Sequence, residues 1–368
     1  MTPETLTSHF TVPIVGVLFC LTPATTRPTL QFGVRVPGDR AGTAVIRQQR
    51  RAYYRRTAVL AACCTAAAMM LPGSAPWWLA ELILLLEVAA DLGCFWLARE
   101  KITAVKKAER WFEGLRQTVA TDTSWRTEPI RFPVLWLIPA ITVTVATAII
   151  GAVRYPDLPG HLAVAFTASG GPGRWARRSA FSAFAVVVGQ VWVTALWTGI
   201  LLIIYRSRPD IGASDPVAST RRYRRFLPAY ARALLTLVAL VNVSLLLAAL
   251  QRWQVYHLSG ASSALPALPA AAGLVILAAV ALRMGQGGSR LPGSAGRQHP
   301  AAGADRDDDR FWKGGLIYVN RDDPAIMVGN RFGVGFTFNF ANPAAWLICG
   351  TIATVPAALA VIVTVAGM

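Results

Sequence analysis

Three carboxylates stand inside one of the most apolar stretches of the chain, "WWLAELILLLEVAADLGCFW", as Glu81, Glu87 and Asp91. At about 100° per helical residue, Glu87 and Asp91 lie within about 40° of each other, one turn apart. Glu81 falls about 80–120° away on the same scale, nearer the outer end of the stretch. An ionised side chain at bilayer depth costs on the order of 3 kcal/mol to insert, so such groups need a proton or a partner. Two chemistries fit. The acids form a proton or cation site, or the floor of a ligand cavity; alternatively they belong to a hydrogen-bonded structural cluster between helices. The polar residues on other apolar runs that could serve them are Thr142, Thr144, Thr147, Gln190, Asn242 and Ser244.

Enzymatic chemistry has little else to stand on. The four histidines, His9, His161, His257 and His299, lie at no metal-ligand spacing from cysteine or carboxylate. The glycine-rich "GQGGSRLPG" has no helix following it, as a phosphate loop requires. The acidic run Asp305 to Asp309 lacks the glycine turn and spaced ligands of a calcium loop and reads as a solvated charge run. All five cysteines (Cys20, Cys63, Cys64, Cys94, Cys349) fall inside apolar runs, as small packing residues rather than a disulfide framework. No catalytic constellation and no cofactor are expected.

The elements that carry these residues are written for lipid. The chain of 368 residues is 54% hydrophobic and 15% charged, far from a soluble average. Its apolar residues gather in eight runs, about 8–26, 57–72, 77–98, 132–152, 180–204, 229–251, 265–284 and 344–366, most of them long enough to cross about 30 Å of hydrocarbon. Glu4 is the sole charge before the first run, which lacks a basic leader region and reads as a retained helix.

The net charge of +17 is not spread evenly. Segments 27–56, 99–131, 206–232 and 283–331 are alternate loops and hold 31 of the 36 Lys and Arg residues. The opposite loops hold Arg154, Arg174, Arg177, Arg178 and Arg252. This is a positive-inside pattern. It places both termini outside and the four basic loops in the cytoplasm, and it assigns the arginines to topology and anionic headgroups rather than to nucleic acid.

Around the runs, three segments have their own character. Val105, Ala108, Phe112, Leu115 and Val119 make an apolar stripe through 99–119, fitting a helix on the inner membrane surface or one packed on a cytosolic loop. The Gly-, Pro- and Ala-rich 285–308 reads as a flexible linker. Residues 309–343 return to order as two strands, "GGLIYVN" and "RFGVGFTFNF", joined by the turn-forming "NRDDP". Phe336, Phe338 and Phe340 would share one face of the second strand. Such a hairpin either caps the inner face of the bundle or docks a cytosolic partner through Lys313, Arg321 and Arg331. "QFGVRVPGDR" from Gln31 echoes the Phe-Gly-Val of residues 332–334.

The fold class expected is therefore an all-α integral membrane protein with about eight transmembrane helices and a short cytoplasmic β-hairpin-like segment before the last helix. The domains expected are 1–128 (three helices with basic loops), 129–284 (membrane core), 285–308 (linker) and 309–368 (hairpin module and final helix).

Two stretches resemble known families. "YPDLPGHLAVAFTASGGPGRW" is similar to a segment of the SdpI-type multi-pass bacterial membrane proteins (domain of unknown function 1648), on Tyr155, Pro156, Leu158, Pro159, Phe166, Gly170, Pro172 and Trp175. It departs where that family pattern has Pro, His, Asn and Asp, with Ala163, Ala165, Thr167 and Gly173 instead. A role resting on that His and Asp is therefore not carried over. The stretch 309–346 resembles a C-terminal module of uncharacterised relatives (domain of unknown function 5808). The residues that carry it are Trp312, Lys313, Gly315, Tyr318, Asn320, Asp322, Asp323 and Pro324, then Arg331, Gly333, Gly335, Thr337, Asn339 and Pro343. The first resemblance implies a non-enzymatic immunity or signalling protein of the bacterial cytoplasmic membrane. Its expected partners are the lipid bilayer, an extracellular toxin or peptide and a cytoplasmic regulator. The alternative from the residues themselves is an ion- or proton-coupled transporter using Glu87 and Asp91.

Overall fold

The computed structural model describes residues 3–72, 76–118, 128–166, 171–212, 215–258, 260–292 and 304–365. Within them each apolar run lies on one of eight helices: α1 (Pro3–Thr25), α2 (Ala44–Met69), α3 (Trp77–Ala108), α4 (Ile138–Arg154), α5 (Ala180–Arg206), α6 (Pro216–Arg252), α7 (Leu268–Met284) and α8 (Pro343–Val365). Proline marks several starts. Extended Pro76 precedes α3, and Pro139 occupies the first turn of α4, where its missing N–H costs nothing.

Five helical segments are long and apolar enough to cross a membrane: Val134–Asp157, Ala180–Arg206, Pro216–Arg252, Leu265–Gly288 and Pro343–Ile362. Thr11–Thr25 is a shorter apolar helix. The eightfold count thus extends beyond what length and apolarity establish. Arginines crowd the first turns of α2, and Glu81, Glu87 and Asp91 interrupt the apolar part of α3. Large apolar side chains nonetheless lie bare on α3 (Leu82, Leu85, Leu86) as they do on α4 (Ile138, Ile141, Ile149).

The chain forms two compact units. The first comprises residues 1–130, 206–227 and 281–345; the second 131–205, 228–280 and 346–368. Residues 1–128 and the module that begins at 309, expected as separate domains, thus share one unit up to residue 345.

In the first unit α1, α2 and α3 pack on one another. Their core continues into a hairpin of β1 (Leu30–Gln31) and β2 (Val34–Arg35), with Phe32, Val34, Tyr53, Phe95, Ile102 and Trp111 buried together. The turn of that hairpin puts Phe32 and Gly33 at positive φ, 50° and 72°. Gly33 has no alternative, because a Cβ there would lie 2.5 Å from the carbonyl oxygen of Gly315.

Segment 99–119, expected as a helix either on the inner membrane surface or packed on a cytosolic loop, continues α3 as far as Ala108. Arg110 and Gly114 then take positive φ. Ile102 and Lys106 are buried, so this end packs on protein. Its short extension β3 (Gln117–Thr118) pairs in parallel with β6 (Ala304–Asp305). Val119 lies outside the described residues. The linker expected over 285–308 is tied down at both ends, by buried Gln286 and by the acidic run; residues 293–303 lie outside the described residues.

In the second unit β4 (His161–Phe166) and β5 (Pro172–Arg177) form an antiparallel hairpin with register shifts after Ala163 and Ala165. Leu158 and Leu162 bury against Ala183, Val186, Ala249 and Trp253.

The C-terminal module differs from the single hairpin expected. β7 (Trp312–Lys313) pairs with β8 (Ile317–Tyr318), and β9 (Met327–Gly329) pairs with β10 (Phe336–Phe338). The two expected strands meet only at one bridge, Tyr318 to Asn339. Tight turns explain this pairing. Gly314 and Gly315 take positive φ and fold Ile317–Tyr318 back on Trp312–Lys313, while Gly333 and Gly335 do the same before β10.

Candidate functional site

The α1–α3 bundle holds Glu87 and Asp91 fully buried, on the same side of α3. None of their four carboxylate oxygens has a hydrogen-bond partner among the described residues. Glu87 looks onto α1, where a Cβ added to Gly16 would come within 2.7 Å of its Oε1. Cys20 and Thr57 bridge α1 and α2 at 3.2 Å in the same bundle, and the Tyr53 hydroxyl donates to the Phe19 carbonyl. Glu81 is exposed and does not join the pair.

Several of the polar residues nominated as partners spend their donors on other groups, although Gln190 Oε1 and Asn242 Oδ1 are themselves buried with no partner among the described residues. In the second unit Gln190 donates to Thr147 Oγ1 at 3.0 Å and to the Asn242 carbonyl at 2.9 Å. Asn242 donates to Thr144, Thr194 and the Ala140 carbonyl, and Ser244 accepts from the backbone of Ala270. A donor that finds a carbonyl or hydroxyl on a neighbouring apolar helix has no need of a carboxylate.

At the far end of α3 the chemistry is opposite. Arg331, just 1% exposed, donates through Nη1 to Asp309 and to the Gly33 carbonyl and through Nη2 to Asp308. Its guanidinium sits 4.7 Å over the Trp312 ring. Arg35 reaches Asp305 at 3.3 Å and Asp308 at 3.2 Å, and its backbone N–H donates to Asp309. Lys106 of α3 bonds Asp307 at 2.7 Å and Asp309 at 2.6 Å. The acidic run expected to be solvated is therefore a counter-charge for three buried cations. Burial alone would raise the Asp309 carboxyl, but Arg331 and Lys106 beside it prevail and hold it below the ordinary aspartate range.

Uncharged contacts fix the same module. Gln286 clasps the backbone of Gly335 from both sides, donating to its carbonyl and accepting from its N–H, each at 2.8 Å. Thr26 accepts from the Gly333 N–H, and Trp96 donates to the Gly314 carbonyl. Outside the module, Arg27 makes an ion pair with Asp210 at 2.8 Å and donates to its carbonyl. Phe332 meets Phe95 at 4.5 Å, and Phe32 meets the same ring at 6.1 Å. The two Phe-Gly-Val echoes thus converge on one aromatic core.

Within the module Asn339 is fully buried, whereas Phe336, Phe338 and Phe340 are half-exposed. Asn339 donates to the carbonyls of Asn320 and Asp323 and accepts from the Asn320 N–H. The Tyr318 hydroxyl bonds Asp323 and Asn320. Asp322 and Pro324 form the exposed turn, Lys313 and Pro343 are exposed, Gly315 is buried, and Thr337 opposes Val328 in the sheet.

Of the 155–175 motif, Tyr155 stacks beside Phe184 and under Arg178, whose guanidinium also caps the carbonyls of Pro156 and Leu158. Pro159 is half-buried, Pro172 pairs with Phe166 at the hairpin end, and Trp175 stands 51% exposed. Gly170 lies outside the described residues.

Sequence reasoning missed Arg35, Lys106, Gln286 and the acidic run as site-builders. The available signal was the run itself, five residues with four carboxylates inside a strongly basic chain. Among the described residues no group of three His, Cys, Asp or Glu is placed to hold a metal ion.

A model of a family of unknown function, DUF5808, matches residues 321–346, the span from the Asp322 turn through β9 and β10 to the start of α8. No curated protein and no solved structure matches the chain.

Proposed function

We propose that the chain is a non-enzymatic, SdpI-like signalling or immunity protein of the bacterial cytoplasmic membrane. It crosses eight times with both termini outside, meets a toxin, peptide or envelope stress at the 155–177 hairpin, and reports through its basic inner loops. The observation that carries the inner half of this reading is buried Arg331, which keys the C-terminal module to the β1–β2 turn and, through Asp309, to Lys106 of α3. A module locked in this way follows any movement of α1 to α3, as a reporting element must. The outer half is supported by Trp175, exposed beside Arg177 on a hairpin whose base is fixed by Leu158 and Leu162.

The test is a deletion strain challenged with secreted peptide toxins and cell-envelope antibiotics. Sensitivity is expected to rise and to be restored by the full chain, but not by a chain lacking 309–343 that still reaches the membrane. Equal sensitivity with and without the gene overturns the reading.

The orphaned pair Glu87 and Asp91 favours a second reading, ion- or proton-coupled transport. Two fully buried acids with no hydrogen-bond partner among the described residues are poised to hold a proton or cation. Proteoliposomes loaded with a pH dye decide it: flux abolished by Glu87→Gln with Asp91→Asn supports transport, and no flux from the unaltered chain removes it.

A further inference from the structure

α2 carries a row of cations with no ion pair among the described residues. Arg47, Arg51 and Arg55 recur every fourth residue and are exposed, along a shallow groove completed by Ala44, Gln48 and Ala52. No ion pair or side-chain hydrogen bond holds any of the three among the described residues. The opposite side of the helix is the core side, with Ile46, Gln49, Tyr53 and Thr57 buried. Like charges at this spacing repel and weaken an isolated helix by about 0.2–0.5 kcal/mol per pair. Such a row persists most readily where an anion sits against it.

What lies next along the same face identifies the anion. Two residues beyond Arg55 the helix turns apolar, and its outward side continues as Val59 (57% exposed), Ala62, Ala66 and Met69 (60% exposed). The row spans about 12 Å of helix at 1.5 Å per residue, and the apolar strip beyond it about 15 Å, half a bilayer. A soluble phosphate would use the first part and gain nothing from the second. A molecule with a negative head and acyl tails uses both.

We propose that the outward face of α2 is a binding site for an anionic phospholipid, its phosphate held by Arg51 and Arg55, its headgroup reaching Arg47, and its acyl chains lying along Val59 to Met69. The proposal rests on the reading that α2 crosses the membrane.

The probe is phosphatidylglycerol, competed against phosphatidylcholine on the purified full chain in mixed-lipid nanodiscs and read as co-purifying lipid by mass spectrometry. The unaltered chain is expected to enrich phosphatidylglycerol. Each Arg→Gln change should cut the enrichment about fivefold, the equivalent of about 1 kcal/mol per cation near a surface. Arg47→Lys, Arg51→Lys and Arg55→Lys together keep the charge and should largely retain it. If the triple Gln variant fails to fold, Arg51→Gln alone and the Lys triple decide between the same outcomes. Undiminished enrichment in the Gln variants overturns the site, as does full competition by glycerol phosphate, which would reveal a headgroup-only anion site. A chain with Cys63 as its lone cysteine separates the two failures. Cys63 shielded from a water-soluble maleimide with no enrichment sinks the lipid site alone; Cys63 modified in the nanodisc sinks the crossing of α2 itself.

Discussion

The middle and the end of α3 teach opposite lessons about buried charge. Midway along it, Glu87 and Asp91 are buried with no hydrogen-bond partner among the described residues. Near its end, Lys106 is nearly as buried but bonds two carboxylates, in a cluster where Arg35 and Arg331 also find theirs. Groups with partners hold a structure together, since removing one strands the other in a medium of low polarity. Groups without partners contribute little to the fold, and their persistence asks for another reason. The contrast separates buried charges that are bonded into the fold from buried acids that have no bond among the described residues.

Breaking the satisfied end should have the largest effect. Arg331→Met leaves Asp308 and Asp309 short of a buried cation and is expected to cost about 3–5 kcal/mol, the usual penalty for breaking a buried ion pair. Denaturant unfolding in detergent would read it, and membrane abundance should fall with it. Gly33→Ala comes next, at about 2 kcal/mol. Its Cβ meets the backbone oxygen of Gly315, which has no flexible side chain to yield, and the turn keeps its positive φ. Gln286→Ala strands the Gly335 N–H, while the Gly335 carbonyl keeps the Asn330 N–H, and is expected to cost about 1–2 kcal/mol. A double-mutant cycle with Arg331→Met should show near-additivity, because the clasp and the ionic key share no atoms.

Acid sharpens the same contrast. Asp309 is held below the ordinary aspartate value of about 3.9 by its cations, so it contributes stability that is fully present above that value. The contribution is lost as pH falls through the lower folded value. Thermal midpoints should therefore drop as pH falls below about 4, and Asp309→Asn should flatten that drop. A midpoint independent of pH down to about 3 would contradict the role given to the cluster.

Much of the helical framework was legible in the sequence because apolar run length is a coarse, additive signal. Each of the eight runs lies on a helix. Extents were less legible. Ala44 to Arg56 of α2 is a polar extension of an apolar run that hydropathy does not reveal, whereas the helix over Arg99 to Ala108 was legible from its apolar stripe but not its end at Ala108. Strand pairing was missed for a local reason. Glycines at 314 and 315 allow a turn tighter than the "NRDDP" loop, so each expected strand found a nearer partner. The acidic run looked solvated because its partners, Arg35, Lys106 and Arg331, are distant in sequence and their basic loops read as topology signals. The candidate site was half visible: the one-turn spacing of Glu87 and Asp91 follows from helical geometry, but that Gln190 bonds Thr147 and the Asn242 carbonyl depends on which helices pack together.

The most direct measurement compares Glu87→Gln with Asp91→Asn against Arg331→Met in one unfolding experiment on the purified full chain. Replacing the acids by isosteric amides should leave the unfolding free energy within about 1 kcal/mol of the unaltered chain, or raise it, because no partner is lost. Arg331→Met should lower it severalfold more. An acid variant that unfolds as readily as Arg331→Met would mean the pair is bonded into the fold after all, and the contrast with the far end of α3 would fail.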